Sequence, residues 1–167
     1  ELHLGEDLAE RHLRAGRQPA LVLPDDLGQL LDGDEPALDG ERGLACAEEA
    51  LRLAPRDVPA LRARAGALEI LGRAEDAATS YAHALAVDPD DPLTLLAAAE
   101  LRVSRPGSSR EELRIGLEHA LRGARLALAP PRPDGRLAAR LWLAAAMAEN
   151  DLGESSAALG HAEKALG

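Results

Sequence analysis

Aromatic side chains are almost absent from this chain, which contains Tyr81, Trp142 and no phenylalanine. A β-sandwich or barrel core is normally built from aromatic and β-branched residues, so the composition disfavours both architectures. The one short run that resembles a strand, Ala20–Leu23, has no second run with which to pair. We interpret it as an apolar loop or helical segment. The abundance of alanine and leucine instead predicts an all-α protein with closely approaching helices.

Cysteine is nearly absent as well, because Cys46 is the only one, and this excludes an internal disulfide framework. Cys46 stands between Ala45 and Ala47, and we interpret it as a small core or groove residue. No apolar run approaches the roughly 20 residues that span a bilayer, and no signal-peptide pattern occurs. The chain begins at Glu1 rather than at methionine. We interpret it as a trimmed or mature fragment. We expect a cytoplasmic location and no membrane insertion.

Sequence signatures of catalysis and of metal binding are missing too. There is no HExxH motif, nucleophile elbow, phosphate loop or dinucleotide fingerprint, and the GRAEDA stretch at Gly72 is interpreted as a repeat turn. The histidines show no spacing that would place metal ligands on one helical face. They are His3, His12, His83, His119 and His161. We therefore expect no enzymatic activity, no cofactor and no metal.

The acidic segment Asp32–Glu41 superficially resembles a calcium-binding loop. An EF-hand loop needs glycine at its sixth position and glutamate at its twelfth. Counted from the first residue of the segment, these positions hold Ala37 and Gly43, so the match fails at both. We interpret the segment as a solvated loop in which Asp34 or Glu35 caps a helix that opens at the following proline.

Charge is unevenly distributed along the chain, whose formal net charge is −10. Residues 1–57 hold 14 acidic and 6 basic side chains, and residues 58–167 hold 15 and 13. Every basic residue except Lys164 is arginine, a usage typical of a high-GC bacterial genome. An isoelectric point near 4.9 and two aromatics disfavour nucleic-acid binding. The arginine-rich stretch Pro92–Arg140 is the feature that would favour such binding. Its alternative interpretation is a solvated helical face paired with Glu111, Glu112 and Glu118.

The strongest positive signal is a unit of 34 residues, Val58–Asp91, in which two apolar runs at helical spacing flank a break at Gly72. The pattern recurs in Ala139–Leu166 at a uniform shift of 81 residues. The matched pairs are Leu61 and Trp142, Ala65 and Ala146, Gly72 and Gly153, Ala77 and Ala158, Tyr81 and Ala162, and Ala84 and Ala165. Each unit predicts two short helices, which can bury their apolar stripes only by stacking on neighbours.

Partial copies fill the remainder of the chain. Residues 92–131 begin a unit in phase, but Ser104–Ser109 replaces the tight turn and predicts an enlarged elbow. The spacing of Ser109 and Glu112 predicts a capping box at the start of a second helix that runs to about Ala129. Residues 132–167 form the last unit, and residues 40–57 match only the second helix of a degenerate one. Residues 1–39 are expected to be an irregular, mostly helical acidic segment in which a partial repeat begins.

These units resemble the tetratricopeptide repeat, through residues of Val58–Asp91 that match the family signature. They are Leu61, Ala65, Leu68, Ala77, Tyr81, Ala84 and Pro89. Arg64 departs from the usual leucine and Leu61 from the commoner tryptophan. The resemblance implies a right-handed α-solenoid of stacked helix–turn–helix repeats whose concave face binds a peptide or helix from another protein.

The resemblance also implies which residues line that groove, because the family uses fixed positions on the first helix of each repeat. The partner-binding residues are expected to be Arg62, Glu69, Ile70, Leu93, Leu96, Glu100, Arg140, Leu143 and Met147, with Pro59, Gly66, Val103 and Asn150 at further positions of the same kind. Gly66 and Glu100 stand where carboxylate-clamping relatives place asparagine, so that clamp is disfavoured. An apolar floor with a methionine suits an amphipathic helix or apolar peptide.

We therefore expect a protein-interaction scaffold that binds another protein, and neither nucleic acid nor a membrane interior. The alternative is a structural or regulatory solenoid segment of a larger multidomain protein, contacting its own neighbouring domains. The last repeat has no polar helix after it, so we expect further sequence, self-association through that repeat, or a partner at this end.

Overall fold

The computed structural model describes residues 35–166, and all regular elements in this part of the chain are helices. They are α1 (Glu35–Leu53), α2 (Val58–Ile70), α3 (Ala74–Val87), α4 (Pro92–Ser104), α5 (Arg110–Ala127), α6 (Gly135–Leu152) and α7 (Ser155–Leu166). The all-α prediction is confirmed for these residues. The run Ala20–Leu23, His3, His12 and the first residues of the acidic segment lie outside the described part.

Aspartates begin the even-numbered helices. The side chains of Asp57, Asp91 and Asp134 accept hydrogen bonds from backbone amides three residues later, at 2.8, 3.0 and 3.0 Å. A proline follows the first two aspartates within the first helical turn, where its missing N–H costs nothing. An aspartate at this position satisfies an amide that the helix leaves unpaired. The starts of α2, α4 and α6 are thus specified locally by the sequence.

The enlarged elbow lies between α4 and α5, as predicted. Ser109 accepts a hydrogen bond from the Glu112 amide at 3.2 Å, and the Glu112 carboxylate accepts one from the Ser109 amide at 2.7 Å. This confirms the predicted capping box, and α5 ends two residues before the expected Ala129. Gly107 has φ +82° in the elbow, a conformation that favours glycine.

The α2–α3 and α6–α7 hairpins are closed by equivalent turns. Gly72 and Gly153 have φ of +71° and +85°. Their amides donate to the carbonyls of Glu69 and Asn150, at 2.9 and 3.0 Å. The next amides donate to carbonyls five residues back, at 2.8 Å in the first hairpin and 2.7 Å in the second. The 81-residue correspondence found in the sequence is therefore also a correspondence of backbone hydrogen bonds.

Each helix from α2 to α7 packs against its sequence neighbour, and α4 also contacts α6. The core between them is made almost entirely of alanine and leucine. One cluster joins α2, α3 and α4 through Ala65, Leu68, Ala77, Tyr81, Ala98 and Leu101. Two further clusters join α4, α5 and α6, with Leu96 and Leu141 among alanines in one and Ala99, Ala120, Ala144 and Ala145 in the other.

Glycines allow two of these helices to approach each other closely. A Cβ atom on Gly123 of α5 would lie 2.7 Å from Cδ2 of Leu141 and 3.3 Å from Cβ of Leu95. Leu141 is fully buried, so moving it would displace the side chains packed around it. The distance between α5 and α6 is consequently set by the absence of a side chain at Gly123.

Cys46 differs from its interpretation as a core or groove residue, because it is exposed. The buried or contacting positions of α1 are Gly40, Gly43, Leu44 and Ala47, at helical spacing. Gly40 and Gly43 face Ile70, Leu71 and Ala67 near the end of α2. Cys46 falls outside this stripe.

We predict that Ala65→Leu and Ala77→Leu each lower the free energy of unfolding by about 1–3 kcal/mol, because both alanines are fully buried between helices. Ala82→Ser, at an exposed position of α3, should be nearly neutral. Chemical denaturation of the three variants measures this difference, and equal midpoints would contradict the packing described above.

A second prediction contrasts two helical glycines. Gly66→Ala should raise the thermal midpoint, since nothing lies within 4 Å of the added Cβ and alanine is favoured over glycine by up to about 1 kcal/mol in a helix. Gly123→Ala should lower it, because the contact with Leu141 outweighs that gain. Shifts in the same direction for both variants would show that α5 and α6 are not held at this distance.

Candidate functional site

An apolar groove runs between α4 and α6. We call it the α4–α6 groove and define it by the residues that line a pocket of about 300 Å³: Glu100, Val103, Ser104, Arg140, Leu143, Ala144 and Met147. The residues recur at spacings of three and four along each helix, so one face of α4 is opposite one face of α6. Both helices are fixed from behind by α5, which packs against each of them.

The polar end of the groove is closed by an ion pair between the two helices. Nη2 of Arg140 lies 2.8 and 2.9 Å from the two carboxylate oxygens of Glu100. Both side chains are partly exposed, and an exposed pair of this kind contributes at most about 1 kcal/mol. Its main effect is to neutralise the charge beside the apolar floor.

Two large apolar side chains of the groove are exposed. Leu143 and Met147 are each about half exposed, while Ala144 beneath them is buried. A methionine on an open apolar surface can adapt to partners of different shape. A contiguous apolar strip with a polar end is the form of a surface that binds an apolar ligand or another protein.

Four of the nine sequence-predicted partner-binding residues come together in this groove, namely Glu100, Arg140, Leu143 and Met147. Leu93, on α4, is exposed but does not line the pocket. Val103 lines it, as expected for its position on the first helix. Ser104 and Ala144 were missed, although each follows a predicted residue, Glu100 or Arg140, by four positions on the same helical face.

Leu96 requires a correction. It was expected in the groove, but it is only 3% exposed and packs in a core cluster with alanines of α5 and α6. Because α4 contacts α3, α5 and α6, most of its circumference is covered. A substitution at Leu96 would disturb folding rather than test binding.

The remaining predicted residues lie on α2, away from the α4–α6 groove. Arg62 donates to the Asp91 carboxylate at 2.6 Å, and so ties α2 to the start of α4. Glu69 accepts a hydrogen bond from the Tyr81 hydroxyl. Burial and this carboxylate raise the pKa of Tyr81, which keeps the hydroxyl protonated as a donor. Ile70 is exposed beside Gly40 of α1.

Several arginines link separate elements through ion pairs. Arg105 lies 2.6 Å from Glu75 and 3.5 Å from Glu112, and Arg122 lies 2.7 Å from Asp90. Three carboxylates were expected to pair with the arginine-rich stretch, and Glu112 is the one that forms an ion pair. Glu111 and Glu118 form no ion pair within the described part of the chain.

A buried carboxylate and a stacked pair of rings connect the two helices of the α6–α7 hairpin. Glu149 is 4% exposed, and its Oε2 lies 2.7 Å from Nδ1 of His161. The His161 ring stacks on Trp142 with centroids 5.0 Å apart, and the Lys164 ammonium lies 4.7 Å from the centroid of the Trp142 ring. These contacts attach α7 to α6.

Among residues 35–166, no group of three or more histidine, cysteine or acidic side chains is arranged to hold a metal ion. The same residues include no helix that is long and apolar enough to cross a membrane.

His119, on α5, carries a prediction about pH. Burial, and after it the positive charge of Arg102, lower the pKa of His119 to about 4. Its Nδ1 has no hydrogen-bond partner within the described residues. The unfolded chain, with a histidine pKa near 6.5, binds the proton first as the pH falls. Stability should therefore decrease as the pH falls from about 6.5 to about 4.

We predict that His119→Leu removes part of that decrease. Thermal midpoints of both proteins at pH 7.5 and pH 5.0 measure it, and the drop should be smaller in the variant. Carboxylates titrate in both proteins and cancel in the comparison. An equal drop would show that His119 is accessible to protons in the folded state.

No model of a known protein family matches this chain, and neither does any curated protein sequence.

Proposed function

We propose that the chain is a tetratricopeptide-like protein-interaction module that binds an amphipathic helix or apolar peptide of a partner in the α4–α6 groove. The observation that carries the proposal is the groove itself, in which Leu143 and Met147 are exposed above the buried Ala144. The equivalent closure of the two hairpins and the recurring aspartate caps support the repeat architecture.

The chemistry of the groove favours an apolar ligand over a charged one. Arg140 is already paired with Glu100, so it is not a free cation for a terminal carboxylate. The floor offers side chains that bury apolar surface, and burial of apolar area contributes roughly 25 cal/mol per Å². A peptide that lays leucine- or methionine-type side chains along α6 fits this surface better than an acidic tail does.

The test uses the full chain, immobilised and mixed with a lysate, with the captured proteins identified and quantified. Leu143→Glu and Met147→Glu place charge on the apolar floor at exposed positions, so each should reduce capture of a specific partner at least tenfold while leaving the helical circular-dichroism signal unchanged. Arg114→Glu, at an exposed position of α5, makes a larger charge change outside the groove and should nevertheless have less effect.

Salt separates the two kinds of contact. An apolar groove contact should survive about 0.5 M salt, where the Debye length falls toward about 4 Å, whereas a purely electrostatic contact should not. Loss of binding in the Arg114 variant and in salt, with normal binding by the groove variants, would show that the α5 face is the binding surface.

A further inference from the structure

Met147 differs chemically from the other apolar side chains of the α4–α6 groove. It is the only methionine in the chain, and it is 45% exposed. The other apolar residues that line the groove, Val103, Leu143 and Ala144, have hydrocarbon side chains. The thioether sulfur of Met147 is therefore the one atom of this apolar surface that a mild oxidant can change.

Met147 also lies where two hollows meet. Besides the α4–α6 groove, it lines a neighbouring hollow of about 490 Å³ between α6 and α7, together with Ala146, Leu159 and Asp151 among others. Of the described residues that line these two hollows, Met147 alone lines both. A change of polarity at its sulfur therefore affects a ligand confined to the groove and equally one that extends from the groove along α6.

The packing of α6 does not depend on Met147. The two core clusters that join α6 to α4 and α5 do not include it. The α6 residues in those clusters are Ala138, Leu141, Ala144 and Ala145. A polar atom added to the Met147 side chain would meet solvent rather than the core. Oxidation at this position should change the surface and leave the helices packed.

A sulfoxide at Met147 would oppose the binding of an apolar ligand. Its oxygen accepts hydrogen bonds from water and loses them when an apolar group covers it. The side-chain donors among the residues that line the groove are Arg140 and Ser104. Arg140 donates to the Glu100 carboxylate at 2.8 Å, and the Ser104 hydroxyl donates to the Glu100 carbonyl at 2.7 Å. Both donors are thus engaged, and the covered oxygen would lack a partner.

We propose that Met147 is a redox-modification site that regulates binding in the α4–α6 groove. A peroxide oxidises the thioether: the O–O bond breaks, an S–O bond forms at the methionine sulfur, and the peroxide is reduced by two electrons to water or an alcohol. A methionine sulfoxide reductase reverses the step with a dithiol, which becomes a disulfide while the oxygen leaves as water. The regulation rests on the function proposed for the groove, because it acts through apolar binding there.

The second sulfur of the chain must be removed from the test. Cys46 is exposed on α1, and an exposed thiol also reacts with peroxide. It does not line the groove. All proteins compared below therefore carry Cys46→Ser, and any response to peroxide is then assigned by mass spectrometry of the peptide that contains Met147.

Reactivity is measured first and does not depend on a ligand. The peptide that contains Met147 should gain one oxygen atom, at a rate within about threefold of the rate in the chain unfolded in urea, because the side chain is exposed in the fold. The helical circular-dichroism signal and the thermal midpoint should not change. Protection of Met147 by about tenfold or more in the folded chain would overturn the assignment.

Binding is measured with Nile red, a neutral apolar dye whose fluorescence rises in apolar surroundings. The reduced chain should bind the dye saturably, and Leu143→Glu should weaken that binding. The chain oxidised at Met147 should bind about fivefold more weakly or less, since an apolar ligand then covers an unpartnered oxygen. Treatment with dithiothreitol and the two methionine sulfoxide reductases, one for each epimer, should restore the affinity.

The matched control is Met147→Leu, which keeps an apolar side chain without sulfur. Whatever its starting affinity, it should bind the dye equally before and after peroxide, and a response that persists in this variant would contradict the proposal. Unchanged affinity of the oxidised chain, with Leu143→Glu still weakening binding, would overturn the regulation and leave the function of the groove in place. Absence of saturable binding by the reduced chain, or binding that Leu143→Glu leaves unchanged, would instead overturn apolar binding in the groove and the regulation with it.

Discussion

Close approach of helices through small side chains is the constraint on which the rest of this structure depends. Alanine and glycine fill the crossings, and at Gly123 even a methyl group would collide with the fully buried Leu141. Two helices at such a distance leave little room between them for large side chains. Some leucines lie on the outer faces of the helices instead, and Leu143 and Leu159 are exposed there.

Ion pairs play a different part, since they connect elements rather than fill space. Arg62 reaches the aspartate cap of α4, Arg122 reaches the turn before α4, and Arg140 reaches across to Glu100. Each exposed pair adds little to stability, but together they restrict how one hairpin can slide over the next. A core of alanines fixes the position of one hairpin along the next only weakly, because small side chains interlock little. The polar contacts supply the specificity that the apolar contacts lack.

Local signals in the sequence predicted local structure well, including the capping box at Ser109 and the break at Gly72, which the structure shows to be a turn. They failed where a residue's environment depends on several neighbouring helices. Leu96 shares the helical spacing of the groove residues, but α5 and α6 cover it. Cys46 sits among apolar residues in sequence and still points away from the contact stripe of α1. Periodicity identifies a face, whereas its burial depends on which helix packs there.

The two equivalent hairpins share the backbone hydrogen bonds of their turns but differ in the side-chain contacts between their helices. In the first, Leu68 and Ser80 are buried, and Leu68 belongs to the cluster that includes α4. At the same positions the last hairpin has Glu149 and His161, which bind each other. A buried carboxylate without that partner would cost several kcal/mol, so the pair is a self-contained attachment of α7 to α6. Because the attachment is internal to the hairpin, it holds α7 against α6 without a contribution from any further helix.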